Sequence, residues 1–379
     1  DWQDMIFQQG HIQNHQLSIS GGNDKMKYYV SGIYFGQKGV IKTSAFNRYS
    51  LNTNFKFDIS KHIRLSLSST LLNSKSDGVM TSSAGGASNA GVVMAAQRFD
   101  PDQGILDETG KYSQSRVGVA AFENPMAVTD GREEETKQDN LQVNAKAEFD
   151  LAKGLVFNST FGTIIRNSQN GVYNNRISNL GETTNGQGSL SHGRNYNFLT
   201  EQYLNYNFNA GMKSNFVLTG GFSYQKFQNT NFSVTNTGFI TDALGFWNLG
   251  VGTNFKAPGS EFTESAIMSY YGRLNYNFDD RYLLTFTGRY DGASQFSENN
   301  KWSFFPSGAF SWNISNEKFY PQNPVFPSLK LRTSYGLTGN QGIGAYESLA
   351  RISSTFFVMN NSVVSSVRPT SIANKDLTW

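Results

Sequence analysis

"RLNYNFDDRYLLTFTGRYDG" occupies residues 273–292, and its parity decides the fold. Tyr282, Leu284, Phe286, Gly288 and Tyr290 fall on one side of an extended chain; Thr285, Thr287, Arg289 and Asp291 fall on the other. Alternation with period two marks a β-strand whose faces meet different surroundings. "FDDR" separates this strand from its predecessor, in which Ala266, Met268, Tyr270, Gly272, Leu274, Tyr276 and Phe278 share a face. Ser269, Arg273, Asn275 and Asn277 share the other face, with Ile267 and Tyr271 as apolar exceptions. Two long strands joined by a tight turn form a hairpin.

The pattern recurs along the chain. "RYSLNTNFKFDI" sets Tyr49, Leu51, Phe55, Phe57 and Ile59 against Ser50, Asn52, Asn54, Lys56 and Asp58. "HIRLSLSSTLL", "WSFFPSGAFSWNI" and "LKLRTSYGL" repeat it. About twelve such strands are expected, mostly of roughly 10 to 16 residues, against about 5 to 6 in ordinary globular sheets. Tight turns fall near 22–26, 60–62, 151–154, 209–214 and 279–281, with a somewhat longer one at 315–328. Longer connections fall between them, near 36–46, 74–136, 167–195, 230–262 and 291–302, and again after 339. Short and long alternate, so up-and-down strands would carry tight turns at one rim and large loops at the other. Outer-membrane barrels have this asymmetry, with short periplasmic turns and long extracellular loops.

Tyr282 and Tyr290 are separated by about 20 Å along the membrane normal at a 40° tilt. Tyr49 and Phe57 repeat that spacing. Tyr and Trp favour the headgroup level of a bilayer, where one end of the ring is dry and the other wet. The expectation is therefore all-β: an antiparallel up-and-down transmembrane β-barrel whose apolar face meets lipid and whose Ser/Asn/Thr/Arg face meets an aqueous lumen. A soluble sandwich also explains alternation, but not strands of this length or the turn asymmetry.

Composition agrees. The 379 residues are 16% charged and 14% aromatic, and their polarity comes from Asn, Ser, Thr and Gln. A net charge of +3, dispersed along the chain, gives no footprint for nucleic acid. The absence of cysteine excludes disulfides and thiolate metal sites in this sequence. The run Glu133-Glu134-Glu135 reads as a solvated loop. His11 and His15 in "HIQNH" lack the Glu of a zinc-protease helix. No nucleophile elbow or phosphate loop is present, and Asp279-Asp280 reads as turn chemistry, so neither an enzyme nor a cofactor or metal is expected.

Two loop regions stand out. "ASNAGVVMAAQRFD" predicts a short helix ending before Pro101, and "FITDALGFWNLGVG" carries aromatics that a solvated loop would not hold without purpose. Phe246, Trp247 and, less strongly, Tyr173 are candidates for stacking on a sugar or peptide; packing inside a folded loop is the alternative. Arg64, Arg273, Asn275, Arg289 and Arg332, with Lys56 and Lys330, are candidates to line the lumen.

"DWQDMIFQQGHIQNHQLSISGGNDKMKYYVSGIYFGQKGVI" and "NRYSLNTNFKFDISKHIRL" resemble the early barrel of SusC/RagA-type TonB-dependent transporters. "YYGRLNYNFDDRYLLTFTGRYDGASQFSENNKWSFFPSGAFSWNISNEKF", "LKLRTSYGLTGNQGIGAY" and "FENPMAVTD" resemble further segments of that family, and the motifs bracket nearly the whole chain in the right order. The resemblance implies an outer-membrane barrel of about 22 strands with a plug. It further implies a SusD-like surface lipoprotein over the mouth, and import of oligosaccharides or peptides driven by the TonB complex. The sequence departs by omission: no TonB box, plug or closing strands are recognised in residues 1–379, so a barrel fragment is expected. The competing reading is a passive porin or structural surface barrel; a soluble carbohydrate-binding β protein is a third.

Overall fold

A computed structural model describes residues 1–81, 91–117, 120–321 and 325–379. Its first strands are β1 (His11–Gly22), β2 (Met26–Lys38), β3 (Ala45–Ser60) and β4 (Ile63–Asp77). A loop holding the short hairpin β5 (Ser115–Val117) and β6 (Ala120–Phe122) leads to β7 (Arg132–Ala152), β8 (Leu155–Asn174), β9 (Gln187–Ala210) and β10 (Ser214–Thr237). Past the two-residue β11 (Asn254–Phe255) come β12 (Gly259–Phe278), β13 (Tyr282–Ala293), β14 (Trp302–Asn313) and β15 (Lys330–Gly336). A separate hairpin, β16 (Arg351–Met359) and β17 (Ser362–Ser371), follows. Leaving aside β5, β6 and β11, the strands up to β15 pair in sequence order in one antiparallel path, whose ends, β1 and β15, are not joined to each other among the described residues.

Register aligns the apolar positions into one continuous face. Tyr282 lies opposite Phe278 and Trp312, Leu284 opposite Tyr276 and Phe310, and Phe286 opposite Leu274 and Gly308. The same parity runs through Leu218 and Phe216, Leu204 and Phe157, Leu141 and Leu71, and Leu51 to Gly32. These side chains are not sandwiched against a second sheet: Phe286 is 55% exposed and Leu17 82%. An exposed apolar belt of this extent has lipid as its natural solvent.

Aromatic rings bound the belt. At the turn rim Tyr206, Phe208, Phe216, Tyr276, Phe278, Tyr282, Trp312 and Phe319 form an unbroken series of ring contacts across five strands and the adjoining loop. Toward the loop rim Phe222, Tyr270, Trp302 and Tyr290 make a second series, and His15, Tyr34 and Tyr49 a third. Between the two levels the outer face carries Leu, Phe and Gly. No helix among the described residues is long and apolar enough to cross a membrane.

The strands are longer than the sequence pattern implied. β7 has 21 residues, β8 and β12 have 20, and β9 and β10 have 24. A 24-residue strand at a 40° tilt rises about 60 Å, far beyond an apolar band of about 25 Å. Above the upper rings the outer face turns charged: Lys75 pairs with Glu135 at 2.8 Å, Lys137 with Glu135 at 2.7 Å and Lys226 with Glu264 at 3.0 Å. Around these pairs both faces are polar, so alternation fades from the sequence while pairing continues. Glu133-Glu134-Glu135 accordingly opens β7 rather than forming a loop. The long connections shrink to 39–44, 78–131, 175–186, 238–258 and 294–301.

The turn rim is fixed by Asp chemistry. Asp279 and Asp280 adopt φ of 54° and 53°, the left-handed region that Asp tolerates better than most residues. Arg281 bridges Asp279 and Glu317 at 2.6 and 2.9 Å. Glu317 in turn accepts from Tyr282 Oη at 2.6 Å and Trp312 Nε1 at 3.0 Å, anchoring two rings of the girdle. These hydrogen bonds, Tyr282 first, hold its carboxyl below the usual carboxylate range.

Candidate lumen wall and loop site

The five lumen candidates share the inner face. Arg64 donates to Asp150 at 2.6 and 2.9 Å and lies 3.7 Å from Glu148, which Lys146 reaches at 2.9 Å. Arg273 Nε donates to Thr287 Oγ1 at 3.3 Å, and Thr285 Oγ1 donates to Asn275 Oδ1 at 2.9 Å. Arg289 holds Asp291 at 2.7 and 2.9 Å, donates to Ser269 at 2.8 Å, and covers the Tyr271 ring at 5.6 Å. Arg332 faces the same side opposite Ser311. The structure therefore distributes the candidates: Arg273 and Asn275 sit in the turn-side half of β12, Arg332 at the turn side of β15 with two strands between, Arg289 higher on β13, and Arg64 on the distant β4.

Sequence reading missed the acidic and phenolic partners of these cations. Glu148, Asp150, Glu201 and Tyr271 all have inward parity, and Tyr271 Oη donates to Glu201 at 2.7 Å. This explains the apolar exception at Tyr271: its ring supports Arg289 and its hydroxyl completes a polar network. Parity was the available signal, but carboxylates scattered in sequence gave no hint of being neighbours in space.

The loop candidates lie elsewhere. Gly171, Tyr173, Leu190 and Val234 carry the outer-face parity of their strands, above the belt. The 238–258 loop folds down onto that patch, burying Phe239, Phe246 and Leu249 against Tyr173. Phe246 is 1% exposed and Tyr173 3%, and Phe246 rests where a side chain on Gly171 would otherwise sit. Tyr173 Oη donates to Asp242 Oδ1 at 2.9 Å, and Arg176 pairs with the same carboxylate at 3.1 Å. Phe246 and Tyr173 thus form the core of a folded loop on the outside of the wall. Trp247 is 59% exposed, with the Lys137 ammonium 4.8 Å from its ring centre.

A second core gathers three short helices at the loop rim. α1 (Trp2–Ile6), α2 (Val92–Arg98) and α3 (Pro125–Asp130) bury Trp2, Ile6, Val92, Ala95, Phe99 and Val128 together. Within the expected helix 87–100, residues 91–100 are described and contain α2; Ala87–Ala90 lie outside the described residues. "FENP" staples this layer to α4 (Asn179–Thr184). Phe122 packs on the core, Asn124 caps α3 through Met126 N at 2.9 Å, and Glu123 accepts from Asn179 N at 2.7 Å. Burial pushes the Glu123 carboxyl up to about 7, against the opposing effect of that hydrogen bond.

A concavity of about 1200 Å³ has Leu17, Leu51, Leu71 and Leu141 with Tyr34 and Tyr49 in its lining, beside polar groups that include His15, Asn73 and Asp139. These apolar residues and rings carry the outer-face parity of their strands.

This wall, with lipid-side rings, a polar interior and loops at one rim, matches known proteins. The model of the TonB dependent receptor-like β-barrel matches residues 83–379. The chain belongs to the TonB-dependent receptor β-barrel family. TonB-dependent receptor P3 of Formosa agariphila is 38% identical over 380 residues, covering 100% of this chain and 38% of that protein. TonB-dependent receptor SusC of Bacteroides thetaiotaomicron is 27% identical over 416 residues, covering 100% of this chain and 39% of its own length. The RagAB peptide importer in its closed-closed state superposes with a TM-score of 0.84 at 23% identity, over 100% of this chain and 42% of that one. The chain thus spans well under half the length of these proteins. Family membership places the sheet in the outer membrane, turn rim to the periplasm and loops outside.

Proposed function

We propose that this chain is barrel wall and extracellular loops of an active nutrient importer of the SusC/RagA type. Oligosaccharides or peptides enter at the loop rim, meet the lumen residues, and pass inward when the TonB complex acts on a plug. A SusD-like lipoprotein closes the outer mouth. The observation that carries this reading is a lumen wall of paired charges and amides inside a lipid-facing belt. Such a wall can bind polar solutes weakly and repeatedly without covalent chemistry. Among its relatives, one is named a peptide importer and others TonB-dependent receptors, which supports transport over catalysis. The proposed pathway runs past Arg64, Arg273, Asn275, Arg289 and Arg332; Trp247 offers an exposed ring for a ligand approaching outside the wall. Uptake by cells carrying the full-length parent should require TonB. Equal uptake with and without TonB would favour a passive porin instead.

A further inference from the structure

A cavity of about 300 Å³ opens on the inner face where the loop rim begins. Its wall side carries Ser223, Gln225 and Ser269 from β10 and β12, with Arg289 and Asp291 from β13. Its other side is made by Asn340, Gln341 and Trp379, from segments that fold into the mouth. Trp379 is held there: Nε1 donates to Lys301 O at 2.8 Å, and its ring lies 5.0 Å from Phe296 and 5.4 Å from Phe305. Phe305 lies opposite Arg289 in register, so this packing is on the lumen side. Gly339 fits against the same Phe305 ring, where a side chain would clash, and this brings Asn340 and Gln341 over the cavity.

The chemistry of the lining selects a ligand class. The guanidinium of Arg289 is already matched by Asp291 and Ser269, so the cavity offers no uncompensated charge to a sulfate, a carboxylate or a peptide terminus. What it offers are amide and hydroxyl groups, each able to donate and accept, beside the apolar side chains of Leu199 and Ile267 and a fixed indole. Sugar rings present that combination, with hydroxyls around an apolar C–H face. The volume is at the small end of ligand pockets, so it suits a short part of a longer chain. We infer that this cavity is a subsite for an uncharged saccharide unit at the lumen mouth; the inference rests on the import reading above and narrows its substrate class.

The test uses the purified full-length parent against arrayed neutral oligosaccharides, their sulfated and carboxylated counterparts, and tripeptides. The expected result is binding to at least one neutral oligosaccharide, weakened at least tenfold by the paired changes Gln225→Ala and Gln341→Ala and unaffected by Lys75→Gln on the outer face. Heat-modifiable electrophoretic mobility verifies that each variant is folded, and Gln341→Ala alone, on a loop, serves if the pair is not. Binding that ignores these changes, a preference for charged ligands, or no neutral ligand at all would overturn the subsite. TonB-dependent uptake is measured alongside: if it persists while the subsite fails, import stands without it; if TonB dependence itself is absent, the import reading falls.

Discussion

Glu123 makes the docking of two extracellular loops depend on pH. Its carboxyl is 3% exposed and is pushed up to about 7 chiefly by burial. In the unfolded loop it would titrate near 4.3. Between those values the unfolded loop has released the proton and the docked loop still holds it. Docking therefore weakens as pH rises through this window, and levels off above about 7. A shift of this size corresponds to on the order of 3 kcal/mol. The assay is hydrogen exchange of the amides around α3 and α4 in the full-length parent between pH 5 and 8, corrected for intrinsic exchange. Protection should fall with rising pH across the window, while the strands β9 and β10 stay unchanged. Glu123→Gln, which is neutral throughout, should remove the dependence and hold the protection of the acidic state. Protection that rises with pH, or a Gln variant that retains the dependence, would refute the reasoning.

Three further outcomes follow from the wall. Phe286→Arg puts a charge midway between Tyr282 and Tyr290 on the lipid face, costing about 2–4 kcal/mol, whereas Thr285→Arg one residue away enters the lumen and should be nearly silent. Folding into lipid vesicles, read as the heat-modifiable fraction, separates the two. Gly171→Leu should unseat the 238–258 loop by displacing Phe246, raising its proteolysis without altering barrel assembly. Acidification through the lowered titration of Glu317 should release Tyr282 and Trp312 and change Trp fluorescence at the turn rim; the tie is intact above the usual carboxylate range and lost as pH falls below it.

The sheet was legible because one of its faces is apolar. Wherever lipid meets the wall, as from Tyr282 to Tyr290, period-two alternation fixed strand, face and register. Above the belt that signal fades: "QGSLSHGR" at 187–194 has Leu190 as its single large apolar side chain, and only pairing with its neighbours reveals it as strand. The loop aromatics were conspicuous in sequence, but nothing local could tell that Phe246 and Tyr173 would meet each other on the outside of the wall. Tyr173 lies 73 residues before Phe246, and the glycine that admits the ring, Gly171, is a separate choice again. The lumen cations were legible one at a time. The matching of Arg64 by Asp150 and Glu148 was not, because ion pairing across strands depends on register, whereas Asp291 lies two residues from Arg289 on the same face of one strand.

The most direct measurement of the central claim is a scan of single spin labels through residues 282–291 of the full-length parent in lipid vesicles. Collision with dissolved oxygen should peak at 284, 286 and 290, and collision with a water-soluble nickel chelate at 285, 287 and 289. A uniform profile, or oxygen maxima at the Thr and Arg positions, would contradict the assignment of lipid to one face and water to the other.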